Sequence, residues 1–220
     1  MILILAQGKQ SRIGLNYPKC LISVGGQTLL RRTIVLSGPQ DYAIIGWPTL
    51  DELGYGYKLH SLVNPGHCIL DGLSYTQSLW KANKRLTILL GDVFYSKKDL
   101  MDLLSSEDPV RFLVSHDLST SGGEVFGATF APGVLYEVSQ ALYSAPCRAP
   151  GLIDYQGGHF RNLLWSLQTS RGNPDPRIDL SPELVLISDE WTMDFDVPEH
   201  LNEIPRLERY LSSSVPGQGT

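Results

Sequence analysis

Met1-Ile2-Leu3-Ile4-Leu5-Ala6-Gln7-Gly8-Lys9-Gln10-Ser11-Arg12, with Pro18-Lys19 a few residues on, is the stretch that decides the fold. Residues 2–6 form an unbroken apolar run that ends at the polar Gln7. A run of that length predicts a strand buried on both faces. A polar, glycine-containing loop follows it. Open α/β sheets bind ligands there, at the carboxyl ends of their strands. Gly8, Lys9, Arg12 and Lys19 would offer backbone N–H groups and positive charge to a polyphosphate. The loop is neither a P-loop nor a dinucleotide fingerprint, because GxxxxGK and GxGxxG are both absent. A plain polar surface loop is the competing reading.

Working outward, short apolar runs alternate with stretches of helical spacing. Strands are expected over 42–46, 61–63, 87–90, 110–114, 126–130 and 184–187, and an ordered, strand-like segment over 191–197. The spacing predicts helices over 28–36, 72–82, 97–104, 134–142 and 160–167, and another starting near Pro198. This alternation argues for a largely parallel sheet covered on both faces. The segment 146–182 is broken up by prolines and glycines. A long loop in a compact domain is usually functional or disordered, so it is expected to form a binding loop. One domain over 1–211 and a small, polar, disordered tail over 212–220 complete the expected organisation.

Composition narrows the class. The chain has 220 residues, 42% of them hydrophobic, and a net charge of −5, an ordinary soluble mix. An acidic balance argues against nucleic acid or an anionic membrane as the main partner. No apolar run reaches the roughly 18 residues of a membrane span, and the opening run is too short for a signal peptide. Cys20, Cys68 and Cys147 form neither a disulfide framework nor a zinc pattern, so a reducing, cytoplasmic location is expected. The sequence leaves oligomeric state open, a homodimer included.

Two further sites carry candidate chemistry. In Leu89-Leu90-Gly91-Asp92-Val93, an Asp ends a buried strand, where a metal or substrate would be held; a helix cap or turn residue is the plainer reading. In Trp191-Thr192-Met193-Asp194-Phe195-Asp196-Val197-Pro198, strand alternation would put Asp194 and Asp196 on one face. Two such carboxylates repel unless a cation intervenes, and hard oxygen ligands suit Mg²⁺. The alternative is that Asp196 caps the helix at Pro198 while Asp194 is solvated. None of the five histidines sits in a nucleophile or metal motif, and His60, His67, His116 and His200 read as surface or cap residues.

These segments together resemble a known family. Residues 5–12 followed by Pro18-Lys19 resemble L-A-A-G-x-G-S-R followed by P-K, the signature of nucleotidyltransferases acting on sugar-1-phosphates and related phosphate monoesters. Later segments resemble the small, choline-phosphate-cytidylyltransferase-like branch. Ile44-Ile45-Gly46-Trp47 resembles V-x-G-Y, and Asn64-Pro65 with Ser78-Leu79-Trp80 resembles N-P…S-L-W. Gly91-Asp92-Val93 resembles G-D-V, and Gly123-Glu124-Val125-Phe126-Gly127 resembles G-E-F-x-G. Residues 191–201 resemble W-x-E-I-D-x-P-E-D-L. The pieces are short but occur in the same order from residue 2 to about 203.

The resemblance implies a three-layer α/β/α Rossmann-like fold with a mixed sheet, that of nucleotide-diphospho-sugar transferases (GT-A-like). It implies an NTP, CTP first among them, coupled to a sugar-1-phosphate or a phospho-alcohol such as phosphocholine, with release of pyrophosphate. Arg12 and Lys19 would be catalytic. Leu5, Ala6, Gln7, Gly8, Lys9, Gln10, Ser11, Asn64, Ser78 and Gly91 would bind the nucleotide. Asp92 and Asp196, with Asp194, would hold Mg²⁺. Glu124, Tyr155, His159, Trp165 and Trp191 would meet the acceptor. The chain departs from the pattern at Gln7, where the family has Ala, at Gln10, where it has Gly, and at Asp194, where it has Glu. Two other functions compete. A glycosyltransferase of related architecture would use Asp194-x-Asp196 and consume a finished NDP-sugar. A non-catalytic nucleotide-binding module would account for Gln7 and Gln10.

Overall fold

The first apolar run needs no alternation with polar residues, because both of its faces are covered. In the computed structural model, which describes residues 1–6, 13–46, 59–61, 69–116, 124–144, 160–172 and 181–213, this strand, β1 (Ile2–Ala6), is buried at every position. Leu3 and Leu5 join one core, and Ile2, Ile4 and Ala6 join another. A short hairpin of β2 (Ser23–Val24) and β3 (Gln27–Thr28) leads into α1 (Leu29–Ser37). The Thr28 hydroxyl accepts the Arg31 N–H at 3.1 Å and so caps that helix, which ends at Gly38 with φ +69°. Next come β4 (Tyr42–Gly46), β5 (Leu59–Ser61), α2 (Ile69–Tyr75), β6 (Leu86–Leu90), β7 (Val93–Phe94) and α3 (Lys97–Ser105). The remainder is β8 (Val110–Val114), β9 (Val125–Phe130), α4 (Leu135–Ser144), α5 (Phe160–Ser170), β10 (Val185–Ile187), β11 (Met193–Asp194) and α6 (Ile204–Ser213).

Among the described residues the sheet has seven strands, in the order β10-β8-β9-β6-β1-β4-β5. β9 runs antiparallel to both β6 and β8, while the other neighbours are parallel. The sheet is therefore mixed, with one reversed strand in the otherwise parallel arrangement that strand–helix alternation predicts. α2, α4 and α5 pack on one face through Leu70, Leu73, Val138 and Leu163. α1 and α3 pack on the other through Leu30, Ile34, Leu100 and Leu103. This is the expected three-layer α/β/α architecture. A third, smaller core of Ile13, Ile22, Val24, Leu29, Phe94, Phe195 and Leu207 lies beneath α6. No helix among the described residues is long and apolar enough to cross a membrane.

Four local expectations change. The helix expected over 72–82 breaks at Thr76, whose hydroxyl donates to the Leu73 carbonyl at 2.7 Å and accepts from the Trp80 indole N–H at 3.0 Å. A side chain that satisfies the last turn competes with its continuation, and only a 3₁₀ turn, Gln77–Leu79, follows. The strand expected at 61–63 begins earlier, at Leu59, and residues 62 and 63 lie outside the described residues. The 191–197 segment shrinks to the two residues of β11, and a 3₁₀ turn, Pro198–Glu203, precedes α6. α6 runs through Ser213, two residues into the stretch expected as a tail.

Candidate active site

Sheet topology places the site. From β1 the chain builds outward to β4 and β5, then returns to lay β6 on the other side of β1. The carboxyl ends of β1 and β6 therefore flank the point where the strand order reverses. Crevices in open α/β sheets form at such a point. β1 ends there at Ala6, and Gly91-Asp92 leave β6.

Gly91 lets the two strand ends close up. Its N–H donates to the Leu5 carbonyl at 2.8 Å. A Cβ at Gly91 would lie 3.0 Å from Ala6 Cβ and 3.2 Å from that carbonyl. The glycine expected at the nucleotide is thus required first by the packing of β6 on β1. The Tyr95 hydroxyl finishes the strand end. It accepts from the Leu90 N–H at 2.9 Å and donates to the Phe126 carbonyl at 2.6 Å.

Asp92 follows. The chain then turns into β7, which pairs antiparallel with β11 so that Asp194 lies opposite Val93. Lys19 enters from a third direction. It begins a 3₁₀ turn directly after Pro18 and is only 4% exposed. Its ammonium is ion-paired with the Asp196 carboxylate and stands 3.9 Å from Asp92 Oδ2. Four residues from distant parts of the chain thereby share one electrostatic environment. Burial raises Asp92 to about 6; Lys19 opposes the shift, and Asp194 and Asp196 add to it. Burial and the Asp196 charge also raise Asp194, against His200 and Lys19. One ammonium does not fully compensate these carboxylates, and that imbalance is what a further cation would relieve.

The donor set suits Mg²⁺ in one respect. Among the described residues no group of three His, Cys, Asp or Glu side chains is arranged to hold a metal. Mg²⁺ is commonly bound by one or two carboxylates together with water and substrate phosphates. Asp92 and Asp196 would supply those two. Cys20, next to Lys19, offers no nucleophile: burial, with the nearby Asp92 charge, pushes its thiol up to about 12.

His200 also belongs to this site, although its sequence context reads as a cap. Its Nδ1 accepts the Asp196 backbone N–H at 3.1 Å and lies 4.0 Å from Asp194 Oδ1. The spacing Asp196-x-x-x-His200 across Pro198 is the signal that would have identified it. Asp196 itself does not cap the following turn; Val197 occupies that position.

Among the other expected site residues, Leu5 and Ala6 end β1 at the crevice. Glu124 stands at the same edge, just before β9, with its N–H donated to the Ser115 hydroxyl at 2.8 Å. Ser78 does not join them. A helix after a parallel strand runs back toward the amino edge. Ser78 lies three residues before Lys81, which pairs with Asp41 beside the first residue of β4. Trp191 is engaged by α6 instead of facing the crevice alone. Its ring stacks on Tyr210, with centroids 4.6 Å apart, and the Arg206 guanidinium sits 4.6 Å from its centroid. Trp165 lies on α5, with the Arg161 guanidinium 5.4 Å from its ring centroid. Gln7, Gly8, Lys9, Gln10, Ser11, Arg12, Asn64, Tyr155 and His159 lie outside the described residues.

No protein-family model matches the chain. No curated protein matches it by sequence. Solved structures do match its fold. A protein from Bacillus anthracis described as a glucose-1-phosphate thymidylyltransferase, solved with sucrose, superposes with a TM-score of 0.63 at 15% identity. The match covers 100% of this chain and 97% of that one. The inositol-1-phosphate CTP transferase from T. maritima superposes with a TM-score of 0.62 at 12% identity, over 98% of this chain and 97% of that one. The chain has the fold of these nucleotidyltransferases over its whole length, as the motif resemblance implied.

Proposed function

We propose that the protein is a Mg²⁺-dependent nucleotidyltransferase that couples an NTP to a phosphate monoester and releases pyrophosphate. The observation that carries this reading is the buried Lys19 ion-paired to Asp196 and 3.9 Å from Asp92 at the sheet's switch point. Both neighbours named above are nucleotidyltransferases, one described as a thymidylyltransferase and one as a CTP transferase. CTP, with a sugar-1-phosphate or a phospho-alcohol such as phosphocholine, is the pair to try first.

An oxygen of the acceptor phosphate would attack the α-phosphorus while the bond to the pyrophosphate oxygen breaks. An ionised phosphate is already a nucleophile at neutral pH, so positioning and charge stabilisation are the protein's tasks. Lys19 would bridge the α-phosphate and the acceptor phosphate, exchanging its Asp196 contact for theirs. Arg12, a few residues after the end of β1 in the sequence, would fork onto the β- and γ-phosphates. Mg²⁺ held by Asp92 and Asp196, with Asp194 nearby, would neutralise charge at the α-phosphate. Backbone groups at Ala6, Gln7 and Gly8 would line the nucleotide, with Glu124 on the acceptor side beside the 146–182 segment. A reducing, cytoplasmic setting suits the scattered cysteines and the NTP supply.

The test is pyrophosphate release from each of four NTPs against a panel of phosphate monoesters. Turnover that EDTA abolishes and that Arg12→Ala and Lys19→Ala lower about a hundredfold supports the reading. Near-normal turnover in both variants sinks it. Consumption of an NDP-sugar without NTP turnover indicates a glycosyltransferase. Nucleotide binding without any turnover indicates a binding module.

A further inference from the structure

We propose that Thr192, hydrogen-bonded to the buried Asp99 carboxylate, is a positioning residue that sets the register of β11 on β7 and so holds Asp194 and Asp196 beside Asp92. The proposal rests on the site reading above for its functional consequence. The pin itself stands on separate observations.

β7 and β11 pair over only two residues, Val93↔Asp194 and Phe94↔Met193. So short a ladder specifies its register weakly, and a slip of one residue turns every side chain to the opposite face. Such a slip would put Met193 or Phe195 where Asp194 now stands. Something outside the ladder must hold the pairing, and the residues flanking it do so. The Ser96 N–H, two positions after β7, donates to Thr192 Oγ at 2.9 Å. The same hydroxyl, one position before β11, donates to Asp99 Oδ2 at 2.7 Å. That oxygen also accepts the Asp189 N–H at 2.9 Å. Asp189 in turn closes the turn, its Oδ1 accepting the N–H groups of Trp191 at 2.9 Å and Thr192 at 3.2 Å. The segment entering β11 is thus tied at Asp189 and Thr192 to the first turn of α3.

Asp99 is fully buried, and among the described residues its Oδ1 has no hydrogen-bond partner. Among the described residues the cation that pairs with it is Lys98, 3.9 Å from Oδ1 but hydrogen-bonded to Asp102. A fully buried carboxylate without a close ion pair is costly, and fixing register is the best-attested reason to keep a buried polar group. Asp99 is also the fourth residue of Ser96-Lys97-Lys98-Asp99, where a capping-box acid would reach back to its own helix. Here the side chain reaches across to residues 189 and 192 instead.

The test uses the full chain with Mn²⁺ as probe, its binding read by electron paramagnetic resonance. Thr192→Val keeps the shape but loses both hydrogen bonds. Thr192→Ser keeps them. Thr129→Val removes one partner of the buried Thr87–Thr129 hydroxyl pair in the sheet and serves as the control for a lost interior hydroxyl. Expected are at least tenfold weaker Mn²⁺ binding in Thr192→Val and wild-type binding in both Thr192→Ser and Thr129→Val. Wild-type binding in a folded Thr192→Val overturns the pin, as does equal weakening in Thr129→Val. Hydrogen exchange on the wild type decides the case in which Thr192→Val does not fold. The Ser96 and Asp189 amides should exchange together with the β7–β11 ladder amides, and exchange ten times faster than the ladder overturns the pin. A wild type that binds no Mn²⁺ removes the metal assignment and leaves the exchange measurement to judge the register.

Discussion

Asp92 holds its proton more tightly than a free aspartate, and that has a measurable consequence. An unfolded Asp titrates near 4, whereas burial, with Asp194 and Asp196 nearby, raises Asp92 to about 6 despite Lys19. Between these values the folded state binds the extra proton. Stability is therefore lost as pH rises through that window, and the deficit persists above it. Asp92→Asn removes the charge and should melt a few degrees higher than wild type at pH 7 in EDTA, with the advantage absent at pH 4. Melting curves at the two pH values check this, and a variant less stable at both would show that Lys19 overcompensates the charge. The same substitution should lower turnover by orders of magnitude. A group that costs stability yet is needed for activity is the usual trade at a functional site. Lys19 is the converse. Lys19→Met would leave Asp92, Asp194 and Asp196 without the ammonium that sits among them, so its melting temperature should fall most above pH 6.

At the scale of elements, the ends of β6 and β11 matter more than their middles. Gly91 allows β6 to close on β1; in Gly91→Ala the added carbon meets Ala6 Cβ at 3.0 Å and the Leu5 carbonyl at 3.2 Å. Backbone must shift to admit it, at a cost of about 1–3 kcal/mol, and denaturant unfolding measures it. Because the shift falls at the switch point, turnover should drop more than stability does. Beneath β11, Phe195 is fully buried with Phe94, Ile22 and Leu207. It separates Asp194 from Asp196 in sequence and anchors both to the third core. Phe195→Ala should cost about 3–5 kcal/mol. A loss below about 1 kcal/mol would mean that this core does not support the carboxylates. The Arg32 guanidinium adds to the same core, 4.4 Å from the Phe94 ring centroid.

At the scale of the molecule, the stretch richest in proline and glycine is 146–182. The 146–182 segment is the expected acceptor loop, and α5 is the part of it described as helix. Hydrogen exchange over 146–159 and 173–180 should slow when CTP and a phosphate monoester, or their product, are bound. Identical protection with and without ligand would remove the loop from the acceptor site.

Much of this was legible before any coordinates. Strands at 2–6, 42–46 and 110–114 follow from short, mostly apolar runs, and these are local properties. Helix α1 was legible because Leu29, Leu30 and Ile34 carry helical spacing. Asp92, Asp196 and Lys19 could be nominated one by one, because each follows a strand end or a proline. Their convergence was implied only by the family resemblance, since residues 19, 92 and 196 are brought together by strand order, and strand order leaves no mark on local composition. His200, Thr192 and Asp99 stayed hidden for the same reason: each acts through a partner it meets only after folding. Ser78 goes the other way, because a motif preserves the order of residues along the chain but not the direction a helix carries them. Local chemistry thus settled which segments are strands, which loops are polar and which of their residues carry charge. The packing of β6 against β1 and of β11 against β7 settled which of those residues meet, because contact between distant positions depends on how the layers stack.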